Sequence, residues 1–139
     1  MNPILEYLPE MVARFMLAIG LGACIGLQRE RAHKKAGLRT LTLVSAGAAL
    51  FTLASIYGFG DGMVDISRVA AGVVVGVGFI GAGVIVRGER EEQVAGLTTA
   101  ATIWISAAVG LAAGAGLYLM SVIATAIIIG ILMLPKFRG

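Results

Sequence analysis

The side chains able to do chemistry in this chain are a handful of charges and hydroxyls set into apolar sequence. Glu30 stands between Arg29 and Arg31 at the end of one apolar run, and Asp65 comes just before Arg68 at the start of another. Magnesium takes octahedral oxygen coordination, keeps several waters and needs only one or two protein carboxylates, so Asp61, Asp65 and Glu30 are its candidate ligands, with Glu30 and Asp65 the two assigned metal positions. The same residues also suit ion pairs, Asp65 with Arg68 at one mouth and Glu30 with Arg39 across a short loop. Arg14 and Arg68 can instead snorkel to an interface. A charge at the centre of a membrane helix costs about 2.5–3.5 kcal/mol, which makes charges near the bilayer the default functional candidates.

Thr98, Thr102 and Ser106 recur at i, i+4 and i+8 and so share a helix face, and Thr42, Ser45, Thr52 and Ser55 make a looser stripe. Two uses stay open: returning hydrogen bonds to the preceding turn and bridging helices, or lining a hydrated ion path. Other chemistry is excluded. There is no Ser/His/Asp set and no zinc-ligand cluster, the one histidine, His33, sits in a basic loop, and Cys24 reads as a packing residue. No enzyme activity and no cofactor are expected, save Mg2+ as a transported or sensed ion. The net charge of +3 comes from basic residues split among short connectors, so no nucleic acid is expected.

The elements that must position these residues are membrane helices. With 58% hydrophobic residues, 14% charged and a mean hydropathy of +0.94, the chain has more apolar surface than a soluble core can absorb. Five apolar segments, 11–27, 38–57, 69–86, 97–113 and 117–134, approach the length that spans about 30 Å of hydrocarbon. Arg29, Arg31, Lys34, Lys35 and Arg39, then Arg87 and Arg90, then Lys136 and Arg138 fall on one side; Glu6, Glu10, Asp61 and Asp65 fall on the other. The positive-inside rule puts the N-terminus outside and the C-terminus in the cytoplasm. Gly114-Ala115-Gly116 suits a tight hairpin, and the mixed-charge run 89–92 a solvated connector. The start of the chain lacks the basic region and cleavage site of a signal peptide, so the first segment is expected to stay in the mature protein. The expected fold is an all-α membrane protein, a compact bundle of about five transmembrane helices forming a single domain over 1–139, with the lipid bilayer as its surroundings.

Glycine spacing supports this. Gly22/Gly26, Gly72/Gly76 and Gly110/Gly114 are each four apart, a pattern that lets helix backbones approach closely in lipid. The run Gly76-Val77-Gly78-Phe79-Ile80-Gly81-Ala82-Gly83 matches a dinucleotide fingerprint in spacing but lies inside an apolar span, so the nucleotide reading fails. Its glycines serve close packing or break the third helix near mid-membrane.

Four blocks in order resemble the membrane domain of MgtC/SapB proteins: Ile25-Gly26-Leu27-Gln28-Arg29-Glu30-Arg31; Gly37-Leu38-Arg39-Thr40; Ser67-Arg68 leading into the 76–83 glycines; and Gly96-Leu97-Thr98-Thr99-Ala100-Ala101-Thr102 with Trp104. Gln28 departs from the acid usual in the family, and no amide residue stands near Gly72, so a mechanism needing a carboxylate at position 28 lacks its residue. The ACT-like C-terminal domain of some relatives is expected to be missing, as the sequence stops at Phe137-Arg138-Gly139. The resemblance implies a multi-pass protein of the bacterial inner membrane linked to magnesium homeostasis.

Two functions follow as expectations. The first is a divalent-cation transporter or channel, at least a dimer, whose path or polar network uses Glu30, Arg39, Asp65, Arg68, Thr98, Thr102 and Ser106. Gly22, Gly26, Gly76, Gly78, Gly81, Gly83 and Gly96 would pack or break its helices. The second is a non-transporting regulator that binds another integral membrane protein through glycine-rich faces; the resemblance suggests the proton-driven ATP synthase as one such partner.

Overall fold

The computed structural model describes residues 2–60, 62–87 and 94–136. Five helices follow in order: α1 (Pro3–Arg31), α2 (Leu38–Tyr57), α3 (Ser67–Val84), α4 (Leu97–Gly114) and α5 (Tyr118–Leu132). Between α3 and α4, β1 (Val86–Arg87) pairs antiparallel with β2 (Val94–Ala95), Val86 opposite Ala95. The all-α expectation omits this ladder, because two-residue strands carry no periodicity to read. Asp61, the run 89–92 and Arg138 lie outside the described residues.

Local chemistry sets the helix ends. Pro3 occupies the first turn of α1, and the Asn2 side chain accepts from the Ile4 N–H at 3.2 Å, so the helix begins well before the apolar run at 11. Its 29 residues reach about 44 Å at 1.5 Å each, enough to enter both headgroup layers. The α4–α5 turn is a hairpin: Gly116 has φ +87°, and Leu117 N donates back to Ala112 O at 2.9 Å. α5 stops at Leu132, ahead of Leu134-Pro135, since proline disfavours helical backbone in the residue before it. Among the described residues four helices, α1 to α4, are long and apolar enough to cross a membrane. α5 is apolar but has 15 residues, about 22 Å, shorter than the expected span.

The helices alternate in direction. Ala18, Ala49 and Ala113 meet in the core, Tyr7 stacks on Tyr57 with ring centroids 5.5 Å apart, and Leu38 returns to Gly26. Ile129 of α5 and Met133 just after it lie beside the Cys24–Arg31 stretch of α1, and Gly96 lies against Val84. The α1–α2 loop, the β1–β2 ladder and the end of α5 therefore share one end, here the basic end. The start of α1, the α2–α3 connector and the α4–α5 turn share the other.

α1, α2 and α4 form the packed centre, with Leu21, Ile25, Leu41, Ile103 and Val109 buried together. Its tightest point is Ser45. A Cβ on Gly22 would come within 2.6 Å of the Ser45 Cβ, and one on Gly110 would overlap the Ser45 carbonyl oxygen. Only the missing side chains allow this three-helix crossing, and the Ser45 hydroxyl completes it by donating to Ala18 O at 2.7 Å.

α3 is different. It packs chiefly on α4, leaving a cavity of about 670 Å3 against α2, walled by Leu43, Gly47, Phe51, Gly72, Gly76 and Ile80. The helix runs unbroken through its glycines.

Candidate functional site

Helical spacing brings two of the four sequence blocks together at the basic end. The buried positions of α1 are Ala18, Leu21, Gly22, Ile25, Gly26 and Arg29, a single stripe at intervals of three and four. On α4 the buried stripe starts at Thr99 and continues through Thr102, Ile103, Ser106 and Gly110. The stripes face each other, so Arg29 is carried inward and is only 4% exposed. Its Nη2 donates to the Thr99 hydroxyl at 2.6 Å and to Lys35 O at 3.1 Å. Arg29 Nε is buried without a partner, and no carboxylate among the described residues pairs with this guanidinium.

The loop around it is held tightly. His33 and Ala36 both adopt positive φ, 54° and 55°, which side-chain-bearing residues avoid. Lys34 N donates to Arg29 O, His33 N to Glu30 O, and the Glu30 carboxylate accepts from the Leu38 N–H at 3.2 Å. α2 has no capping side chain of its own, so Glu30 of α1 does that work from the neighbouring helix.

These bonds correct two expected ion pairs. Glu30 forms none with Arg39; it turns an oxygen to the first N–H of α2 instead. Asp65 forms none with Arg68: its Oδ1 accepts from Ser67 N at 2.9 Å and Ser67 Oγ at 2.5 Å, a local turn that satisfies backbone at the start of α3. Arg68 is joined to Asp65 through backbone alone, its N–H donating to Asp65 O. Glu30 and Asp65 stand at opposite ends of the bundle, so one ion cannot take both as ligands. Among the described residues no group of three or more His, Cys, Asp or Glu side chains is placed to hold a metal.

The hydroxyl face divides. Thr102 is buried and donates to Thr98 O at 2.6 Å, Ser106 is fully buried with its Oγ unpartnered, and Thr98 itself is exposed. The packed threonine is Thr99, one residue along. Thr52 and Thr42 return their bonds to Ala48 O and Leu38 O, while Ser55 bridges to Ile66 O at the head of α3.

The glycines divide as well. Gly26, like Gly22, sits in close contact: its Cβ would lie 2.7 Å from Leu38 Cα. Gly96 has φ +94° with the Val84 carbonyl against it, and Gly81 faces Ala100 at ordinary contact distance. Gly76, Gly78 and Gly83 meet nothing within 4 Å of an added Cβ. Cys24 is exposed, contrary to the packing expectation, because it lies one position off the buried α1 stripe.

At the other end Arg14 does more than snorkel. It pairs with Glu10, donates to Gly114 O at 3.2 Å and to the Tyr118 hydroxyl at 3.3 Å, and lies 5.8 Å from the Tyr57 ring centre.

The sequence profile of the MgtC family matches residues 15–138, which takes in both ends of the bundle. Among similar proteins, "Putative magnesium transporter YhiD" of Escherichia coli (strain K12) is 47% identical over 115 residues, 78% of this chain and 53% of that protein. "Protein SrpB" of Synechococcus elongatus is 45% identical over 122 residues, 81% of this chain and 67% of SrpB. "Protein MgtC" of Brucella abortus (strain 2308) is 49% identical over 111 residues, 80% of this chain and 45% of that protein. The chain thus spans about half the length of YhiD and of this MgtC. No solved structure matches it. The profile match, the identities with these relatives and the meeting of two recognised blocks at Arg29 and Thr99 lead to one conclusion: the chain belongs to the MgtC family.

Proposed function

We propose that this chain is a multi-pass protein of the bacterial inner membrane that serves magnesium homeostasis by regulating another integral membrane protein, with no catalytic step of its own. Its N-terminus lies outside and its basic end in the cytoplasm, the orientation favoured by the excess of Lys and Arg there. The link to magnesium rests on the family and on the name of YhiD.

The observation that carries the regulatory reading is the buried Arg29 guanidinium. A divalent cation moving along the α1–α4 seam would meet a fixed positive charge at its cytoplasmic end, in surroundings where Coulomb repulsion is little screened. The close crossing at Ser45 blocks the same seam deeper in. Glu30, the nearby carboxylate, holds the Leu38 N–H with one of its oxygens.

Transport is the second reading, favoured by the name of YhiD. It requires a path between copies, at least a dimer, rather than through one bundle. The test joins two measurements. The chain should restore growth at limiting magnesium in a host lacking its own copy, while the purified protein in proteoliposomes shows no saturable magnesium flux above empty vesicles. Saturable flux that changes in Glu30→Gln or Arg68→Ala would overturn regulation in favour of transport.

A further inference from the structure

Beside the buried stripe of α1 runs a second one, Cys24, Leu27, Gln28 and Arg31, again at intervals of three and four. With Ile129 of α5 and Met133 at its C-terminal cap it walls a recess of about 570 Å3 at the basic end. Its walls are apolar and open to the surroundings: Leu27 is 38% exposed and Met133 71%. Its lip is cationic. Arg31 is exposed with no ion-pair partner among the described residues, and Lys34, Lys35 and Lys136 follow in the adjoining segments. Gln28 stands among its lining residues, with its Oε1 shut off from the open space.

An apolar recess with a cationic lip asks for one molecule that carries both hydrocarbon and negative charge. We propose that this groove binds an anionic phospholipid, of the phosphatidylglycerol type, through its hydrocarbon and its negative charge. An acyl chain lies along Leu27, Ile129 and Met133, and the phosphate meets Arg31. Basic pockets between membrane helices at the headgroup level are suited to such head groups. A second copy of the chain fits the groove poorly, because a two-fold contact there would set the Arg31 side chains and the neighbouring lysines of both copies against each other. The proposal is independent of whether the chain regulates or transports.

The test is native mass spectrometry of the full chain released from detergent with phosphatidylglycerol or phosphatidylcholine of identical acyl chains. Phosphatidylglycerol should be retained preferentially. Arg31→Gln should weaken its retention about fivefold, the effect of roughly one basic residue at a membrane surface, and Arg31→Lys should preserve it. Arg39→Gln, at the same end but outside the groove, should change nothing. Equal retention of both lipids, or an equal loss in Arg39→Gln, would overturn the proposal. So would an efficient Cys24–Cys24 disulfide between copies in membranes, which would give the groove to a second copy.

Discussion

The Arg29 guanidinium donates to the Thr99 hydroxyl at 2.6 Å, joining residues 70 apart in the chain. The bond ties the end of α1 to the start of α4 at a point shielded from solvent, and Thr99 is the sole side-chain acceptor of this guanidinium among the described residues. A hydrogen bond to a buried charge contributes about 1.5–3 kcal/mol, and leaving the donor unsatisfied costs a similar amount. Thr99→Val keeps the shape and removes the acceptor. It should lower stability by about 1–3 kcal/mol in detergent unfolding, with Thr99→Ser close to the unaltered chain. Equal unfolding midpoints for the valine and serine variants would show that the bond is dispensable.

Glycines of identical sequence spacing should behave in opposite ways. Gly110 lies against the Ser45 backbone, whereas Gly76 has open space where a Cβ would go. Gly110→Ala forces α2 and α4 apart and should cost about 1–3 kcal/mol, the usual penalty of overpacking. Gly76→Ala should stay within about 0.5 kcal/mol of the unaltered chain, as surface changes do. Unfolding both variants side by side checks the assignment; a comparable loss in each would mean that Gly76 is also packed.

The sequence made the helices legible because apolar runs and charged connectors are long, repeated signals. The limits of α2 come out unchanged, and those of α3 and α4 move by only a few residues. Side-chain facing was less legible. Thr98, Thr102 and Ser106 fit a spacing of four, but a helix turns every 3.6 residues, so the packed face drifts and takes Thr99 in place of Thr98. By sequence alone Arg29 counts as one of the connector charges that set orientation. Its place three residues after Gly26 and four after Ile25, both on the packed face, was the available signal. The roles of Glu30 and Asp65 depend on which backbone N–H each meets, and that is decided by loop geometry that composition does not encode.

If Glu30 acts as the cap of α2, its charge matters less than its oxygen. Glu30→Gln keeps an acceptor for the Leu38 N–H and should retain most of the stability. Glu30→Ala removes it and should cost about 0.5–2 kcal/mol, the range for losing a helix cap. Amide exchange at residues 38–41 gives the local readout. Should glutamine weaken protection there as much as alanine, the carboxylate charge rather than the hydrogen bond would be what holds the loop.

Arg14 offers the corresponding test at the other end. Its planar fork reaches the Gly114 carbonyl and the Tyr118 hydroxyl together while pairing with Glu10, so one side chain holds both arms of the α4–α5 turn. Gly116 makes room for it: a Cβ there would lie 3.1 Å from the guanidinium carbon. Lysine carries the same charge as a single point and cannot span the three groups at once. Arg14→Lys should therefore keep the Glu10 pair yet speed amide exchange across 114–118 by roughly fivefold to tenfold, the effect of losing about one hydrogen bond's worth of protection. Exchange at 29–38, at the far end of the bundle, should not change. If both ends loosen together, the turn and the Arg29 site unfold as one unit, and Arg14 is acting on the whole bundle rather than on its own hairpin.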